Sequence, residues 1–157
     1  MRRSAAKPRK IDPDPIFRNR LVTKLINRAM YDGKKSVIQR EVYGAFDLIA
    51  KKGEDPMQVF SLAMENVKPQ MEVRARRIGG AAYQVPQPVR GVRKEALAIR
   101  WIVASSRARS NSEFHTYAEK LATELLEASK NEGGAVRKKQ DMEKTADANR
   151  AFSHFRW

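Results

Sequence analysis

Along Glu72-Val73-Arg74-Ala75-Arg76-Arg77-Ile78-Gly79-Gly80-Ala81-Ala82-Tyr83-Gln84-Val85 the side chains alternate with a period of two. Val73 and Ala75 fall on one face and Arg74 and Arg76 on the other, while Gly79-Gly80 supplies the positive φ angles of a tight turn. The pattern predicts a β-hairpin. Pro86 and Pro88 lack a backbone donor, so they are expected near an edge or at the base of the ribbon. On both sides the apolar period is helical. The fold class that follows is mainly α: a six-helix bundle with a protruding two-stranded β-ribbon between helices three and four.

Upstream, Phe17, Leu21, Val22, Leu25, Ile26, Ala29 and Met30 recur at helical spacing until Asp32-Gly33, with Asp14 before Pro15 as the expected cap. Val37, Ile38, Val42, Ala45, Phe46 and Ile49 mark helix two over about 35–52, closed by Gly53. Asp55-Pro56-Met57-Gln58 opens helix three with a cap, a proline at its first position and a reciprocal glutamine, and Pro69 ends it. Downstream, helix four is expected over about 92–106. A Ser110-Asn111-Ser112-Glu113 capping box is expected to open helix five, whose apolar face would carry Phe114, Tyr117, Ala118, Leu121, Leu125 and Ala128. Gly133-Gly134 should end it, and helix six should run over about 136–149.

The 157 residues are 41% hydrophobic, enough for a sizeable core, with 32 Lys and Arg against 18 Asp and Glu, a formal net charge of +14. A polyanion is the partner such a balance favours. The absence of cysteine excludes a disulfide framework, thiolate catalysis and Cys-type metal sites, and suits a reducing cytoplasm. The longest apolar stretch, 96–104, is interrupted by Arg100 and falls far short of the roughly 20 residues that cross a bilayer. The basic start has no apolar segment behind it, so neither a membrane nor a targeting role is expected.

No catalytic constellation emerges. His115 and His154 lie far apart in sequence and belong to no metalloprotease or nucleophile pattern. Gly33-Lys34-Lys35-Ser36 resembles the end of a phosphate-binding Walker loop, but Arg28 stands at its first glycine and Lys35 where the magnesium-binding hydroxyl belongs. No enzyme activity, cofactor, metal or small-molecule substrate is expected.

The positive charge is informative by its placement. Helix N-termini carry partial positive charge and ordinarily recruit Asp or Glu, yet helix two is expected to open on Lys34-Lys35, helix four on Arg93-Lys94 and helix six on Arg137-Lys138-Lys139. Such openings become favourable when a phosphate docks on the free N–H groups and the cations together. Arg74, Arg76 and Arg77 add charge on the hairpin, and no acid intervenes between Glu72 and Glu95. A basic extended arm is expected over 1–12, its charge on Arg2, Arg3, Lys7, Arg9 and Lys10. The tail over 150–157 interleaves rings with guanidinium groups, and either stacks on unpaired bases or docks on the bundle. The hairpin is either an arm steadied by a partner or a ribbon folded flat on the bundle. With neither repeat nor linker, 1–157 reads as a single domain whose expected partner is a polyanion.

Several stretches carry a family resemblance: Asp32-Gly33-Lys34-Lys35-Ser36, Glu65-Asn66-Val67-Lys68-Pro69, the hairpin from Glu72 through Pro86, Ala98-Ile99-Arg100-Trp101, and Ala148-Asn149-Arg150-Ala151-Phe152-Ser153-His154-Phe155. Together they resemble the universal small-subunit ribosomal protein seven family in its bacterial form. The resemblance implies a structural, non-catalytic protein of the cytoplasmic ribosome that binds the 3′ major domain of small-subunit rRNA and nucleates assembly of the head. It implies rRNA contacts on the basic arm, Lys34-Lys35, Arg76-Arg77 and Arg137 through Lys139. It also implies that Ile78, Gly79, Gly80, Ala81, Ala82 and Tyr83 reach toward exit-site tRNA and mRNA, with small-subunit ribosomal proteins nine and eleven as neighbours. The sequence departs from the family pattern over Gln87-Pro88-Val89-Arg90-Gly91-Val92.

With that resemblance, recognition is expected to work by phosphate contacts and RNA shape rather than by a linear base code. The rival is an architectural DNA binder, because basic ribbons can also enter a minor groove.

Overall fold

A computed structural model of the chain describes residues 9–156; Arg2, Arg3, Lys7 and Trp157 lie outside them. Six α-helices, α1 (Arg20–Ala29), α2 (Lys35–Lys51), α3 (Pro56–Val67), α4 (Gly91–Ala108), α5 (Tyr117–Ser129) and α6 (Gly133–Ala148), surround one apolar core. Between α3 and α4 an antiparallel hairpin pairs β1 (Met71–Ile78) with β2 (Ala81–Pro88), and a short 3-10 helix (Arg150–Phe155) follows α6. The expected fold class holds.

Helix α5 is the central element, packing against α2, α3, α4 and α6 through Leu121, Leu125 and Ala128, all fully buried. Phe46 of α2 joins the core between Phe17, edge-on at 4.8 Å, and Phe60 of α3 at 5.9 Å. Burying a phenyl ring of this kind stabilises the fold by about 1.5–3 kcal/mol.

The first helix starts later than the spacing predicts. The Asp14 carboxylate accepts from the backbone N–H of Ile16 and Phe17 and so caps one isolated turn. Arg18 then takes φ +48°, and Asn19 caps the helix by accepting from Leu21 N–H at 2.8 Å. Phe17 reaches the core from outside the helix. Asp14 is itself buried and accepts a third bond from the Tyr43 hydroxyl, which ties this turn to α2.

Helix α3 opens as expected on Asp55, which accepts from Met57 N–H at 2.9 Å ahead of a proline at the first position. The reciprocal half does not form: among the described residues, Gln58 returns no bond to the cap.

Two expectations around α5 are overturned. Ser110 does not open the helix, and Phe114 is not on its face; the capping box is Thr116 with Glu119, six residues later. Thr116 Oγ1 accepts from Glu119 N–H, while Glu119 Oε2 accepts from Thr116 and His115 N–H. Those bonds, from Thr116 first and His115 next, hold the Glu119 carboxyl below its ordinary pKa. Both boxes carry the same sequence signature. The later one wins because Lys120 Nζ donates to the Arg109 carbonyl at 2.8 Å and to Asn111, which keeps 109–111 as a loop across the helix.

Gly133-Gly134 opens α6 rather than closing α5. The reversal is made earlier by Asn131 at φ +63°, and Gly133 at φ +91° starts the next helix. A side chain on Gly134 would meet Ser105 of α4 at 3.1 Å, so glycine permits the close approach of α6 to α4.

The hairpin turn is as expected, with Gly79 at φ +57° and Gly80 at +91°. Pro86 and Pro88 face Val73 and Met71 at the ribbon's base, where Glu72, Val85 and Pro86 are buried against the bundle. Towards the tip Arg77, Gly79, Gly80, Ala81 and Ala82 are exposed.

Candidate nucleic-acid interface

Lys34 and Lys35 occupy the N-cap and first position of α2, both exposed, with no side-chain cap and no acid in the first turn. The N-terminal segment runs to the same place: Arg9, Lys10, Asp12, Lys35 and Gln39 line one cleft of about 490 Å³. Residues far apart in sequence thus present three cations around an uncapped helix start. That combination supplies N–H donors and mobile charge to one anion.

At the ribbon's base the cations are arranged differently. Glu72, only 3% exposed, accepts from Arg74 Nε at 2.8 Å and from Arg93 Nε at 2.6 Å. Arg93 is the third residue of α4, which begins at Gly91 with Arg90 as an N-cap that makes no side-chain cap bond, and Lys94 follows it. One carboxylate therefore aims two guanidinium groups, each about half exposed, and fixes the ribbon to α4. The site retains a net positive charge. Arg76 lies across from Tyr83 in the register, and Arg77 across from Ala82 at the exposed end.

The dipole reading of α6 is overturned. Arg137, Lys138 and Lys139 form its second turn, because the helix starts four residues earlier than the basic run. Its N-terminus is already occupied: the buried Glu124 carboxylate accepts from Ala135 N–H at 2.8 Å. Glu124 also pairs with Arg109 Nη2 at 2.6 Å, and Arg109 contacts Glu127 as well. Burial alone would lower the Arg109 pKa, but Glu127 and Glu124 reverse that, and it rises. Lys139 Nζ donates to the Asn66 carbonyl at 2.9 Å, an internal role, whereas Arg137 and Lys138 are exposed.

The tail docks chiefly on the ribbon: the Phe152 and Phe155 rings lie 5.2 and 5.6 Å from Tyr83. Ile78 and Tyr83 are half-buried.

Sequence reading missed Arg28 and Arg100, which flank a groove between α1 and α4. The available signal was Arg100 interrupting the longest apolar run. Among the described residues, no three or more His, Asp or Glu are placed to hold a metal ion, and no helix is long and apolar enough to cross a membrane.

Comparison with known proteins matches the family described as "Ribosomal protein S7p/S5e" to residues 1–150. The "Small ribosomal subunit protein uS7" of Afipia carboxidovorans is 54% identical over 157 residues, covering 99% of each chain. Those of Fervidobacterium nodosum and Thermotoga maritima are each 53% identical over 158 residues, covering all of both chains. Coverage of this extent, on a helical bundle with the expected ribbon, means that the chain belongs to the ribosomal protein S7p/S5e family and is a structural, non-enzymatic component of the small ribosomal subunit, in the cytoplasmic ribosome.

Proposed function

We propose that the chain binds the 3′ major domain of small-subunit rRNA directly, nucleates assembly of the head, and places its ribbon near exit-site tRNA and mRNA. The observation that carries this reading is the cleft in which Arg9 and Lys10 meet Lys35 beside the uncapped start of α2. Contacts to rRNA fall on Arg2, Arg3, Lys7, Arg9, Lys10, Lys34, Lys35, Arg74, Arg76, Arg77, Arg93, Lys94, Arg137 and Lys138. Lys139 contributes charge nearby while holding Asn66. The tip of the ribbon, 78–83, is the exit-site element, and small-subunit ribosomal proteins nine and eleven are the protein neighbours.

Phosphate contacts position the bundle on a folded RNA, and shape supplies selectivity. The test is salt-titrated binding to a transcript of the 3′ major domain, with equal-length duplex DNA and an unrelated structured RNA as competitors. If about 6 to 10 phosphates are neutralised, affinity should fall roughly 10³- to 10⁵-fold between 50 and 200 mM salt. Binding that survives both competitors supports the reading; equal displacement by either leaves a generic polyanion binder.

A further inference from the structure

Between α1 and α4 lies a groove of about 300 Å³ lined by Ile11, Lys24, Arg28, Val92, Ala96, Ile99 and Arg100. Its floor is apolar. Val92, Ala96, Ile99 and Arg100 form one stripe of α4, about 12 Å long at helical rise, facing the Lys24–Arg28 stripe of α1. Val92 is 78% exposed and adds apolar surface at one end of the groove.

The charges at the groove are unequal. Lys24 is neutralised by Glu95 at 2.6 Å. Among the described residues, Arg28 and Arg100 have neither an ion-pair partner nor a side-chain hydrogen bond, and both are exposed. Glu95 pairs with Lys24, so among the described residues no unpaired carboxylate lines the groove. At the Val92 end, α4 begins with no side-chain cap and no acid in its first turn. An apolar floor thus sits between two free guanidinium groups and an uncapped helix start.

We propose that this groove takes an unpaired nucleotide of the bound RNA, with the base on the Val92–Ala96–Ile99 floor and its flanking phosphates on Arg28, Arg100 and the α4 start. A base offers an apolar π-face with a phosphate on each side, and the guanidinium planes can stack on it as well as pair. An apolar peptide would fill the floor but leave both arginines unmatched. The inference rests on the RNA-binding reading above and deepens it, because it gives the bundle one contact that a uniform helical duplex cannot supply.

The test compares the full-length protein with three variants on the 3′ major domain transcript across a salt series. Ala96→Phe fills the groove at an exposed position without changing charge. It should weaken binding about tenfold, the scale of one lost base stack, and leave the salt slope unchanged. Arg100→Ala should lower the slope by about one. Val92→Glu places an acid in the first turn, where it favours the helix, and should weaken binding although the protein melts no earlier. Irradiating a 4-thiouridine-substituted transcript should cross-link an unpaired residue to the peptide containing Val92 and Ala96.

If the wild type binds selectively and Ala96→Phe binds equally well, the groove proposal is overturned while the RNA reading stands. Loss of a ribosomal protein partner with RNA affinity intact also overturns it, in favour of a protein contact. If the wild type shows no preference over the competitors, the RNA reading itself fails.

Discussion

Tyr83, near the tip of the ribbon, holds its ring 5.2 Å from that of Phe152, beyond the end of α6. The contact joins the far end of β2 to the C-terminal segment, so the ribbon is braced along its length and not only at its buried base. A two-stranded ribbon on its own is marginal in water, and aromatic pairs contribute about 0.5–1.5 kcal/mol beyond the area they bury. Phe152→Ala should therefore cost about 1–2 kcal/mol locally. Hydrogen exchange at the Tyr83 and Val85 amides should accelerate while the core amides of α5 stay protected; unchanged exchange in β2 would show that the tail does not brace the ribbon.

Tyr117 has a hydroxyl sealed from solvent that makes no hydrogen bond among the described residues. Burial raises its pKa, the Arg107 charge opposes this, Tyr31 adds to it, and the value is pushed up to about 12 from 10.0. The unfolded phenol loses its proton near its ordinary value and the folded one later, so stability is full below about pH 10 and declines as pH rises toward about 12. Tyr117→Phe should flatten that alkaline decline, without loss of stability at neutral pH. Paired urea titrations at pH 7 and pH 11 check this.

Glu124 serves two partners from a site only 1% exposed, the Arg109 guanidinium and the Ala135 N–H. Glu124→Ala leaves Arg109 with Glu127 as its one remaining carboxylate partner and uncaps α6, and should cost about 1.5–3 kcal/mol. Glu124→Gln keeps an acceptor for Ala135 and should cost less. Equal losses in denaturant titrations would mean that the charge is irrelevant and only the hydrogen bond counts.

Lys34→Glu combined with Lys35→Glu should separate binding from stability. Acids at the start of α2 favour the helix by about 0.3–1 kcal/mol each, so the melting temperature should hold or rise. Affinity for the 3′ major domain transcript should fall, and the salt slope with it by about two. A variant that binds like the wild type removes this helix start from the interface.

The hairpin was legible because period two and paired glycines have few other readings, and α3 was legible because Asp55-Pro56 states its own start. The errors cluster where two local signals compete. Ser110 and Thr116 both offer a cap with an acid three residues on, and only the Lys120 bonds to the 109–111 loop decide between them. Gly133 can end a helix or begin one, and the choice depends on Asn131 entering the left-handed region first. For the interface, Lys34 and Lys35 were readable from the helix dipole alone. The pairing of Arg74 and Arg93 through Glu72 was not, because it joins residues 21 positions apart across the ribbon's base.

Pro86 and Pro88 carry a further consequence for the chain outside an assembly. Val89 N–H donates to the Gln70 carbonyl in the same register, so residues directly opposite alternate between bonded and unbonded pairs, and both prolines fall on unbonded positions. Their nitrogens point away from β1, along the outer margin of β2, where an unblocked strand would offer N–H donors to another chain. Two of the four outward positions of β2 are thereby stripped of donors, which makes that edge a poorer template for strand addition between copies. Strand addition between copies is therefore disfavoured at the root of β2, while the exposed Ala82 and Gln84 keep their outward donors nearer the glycine turn.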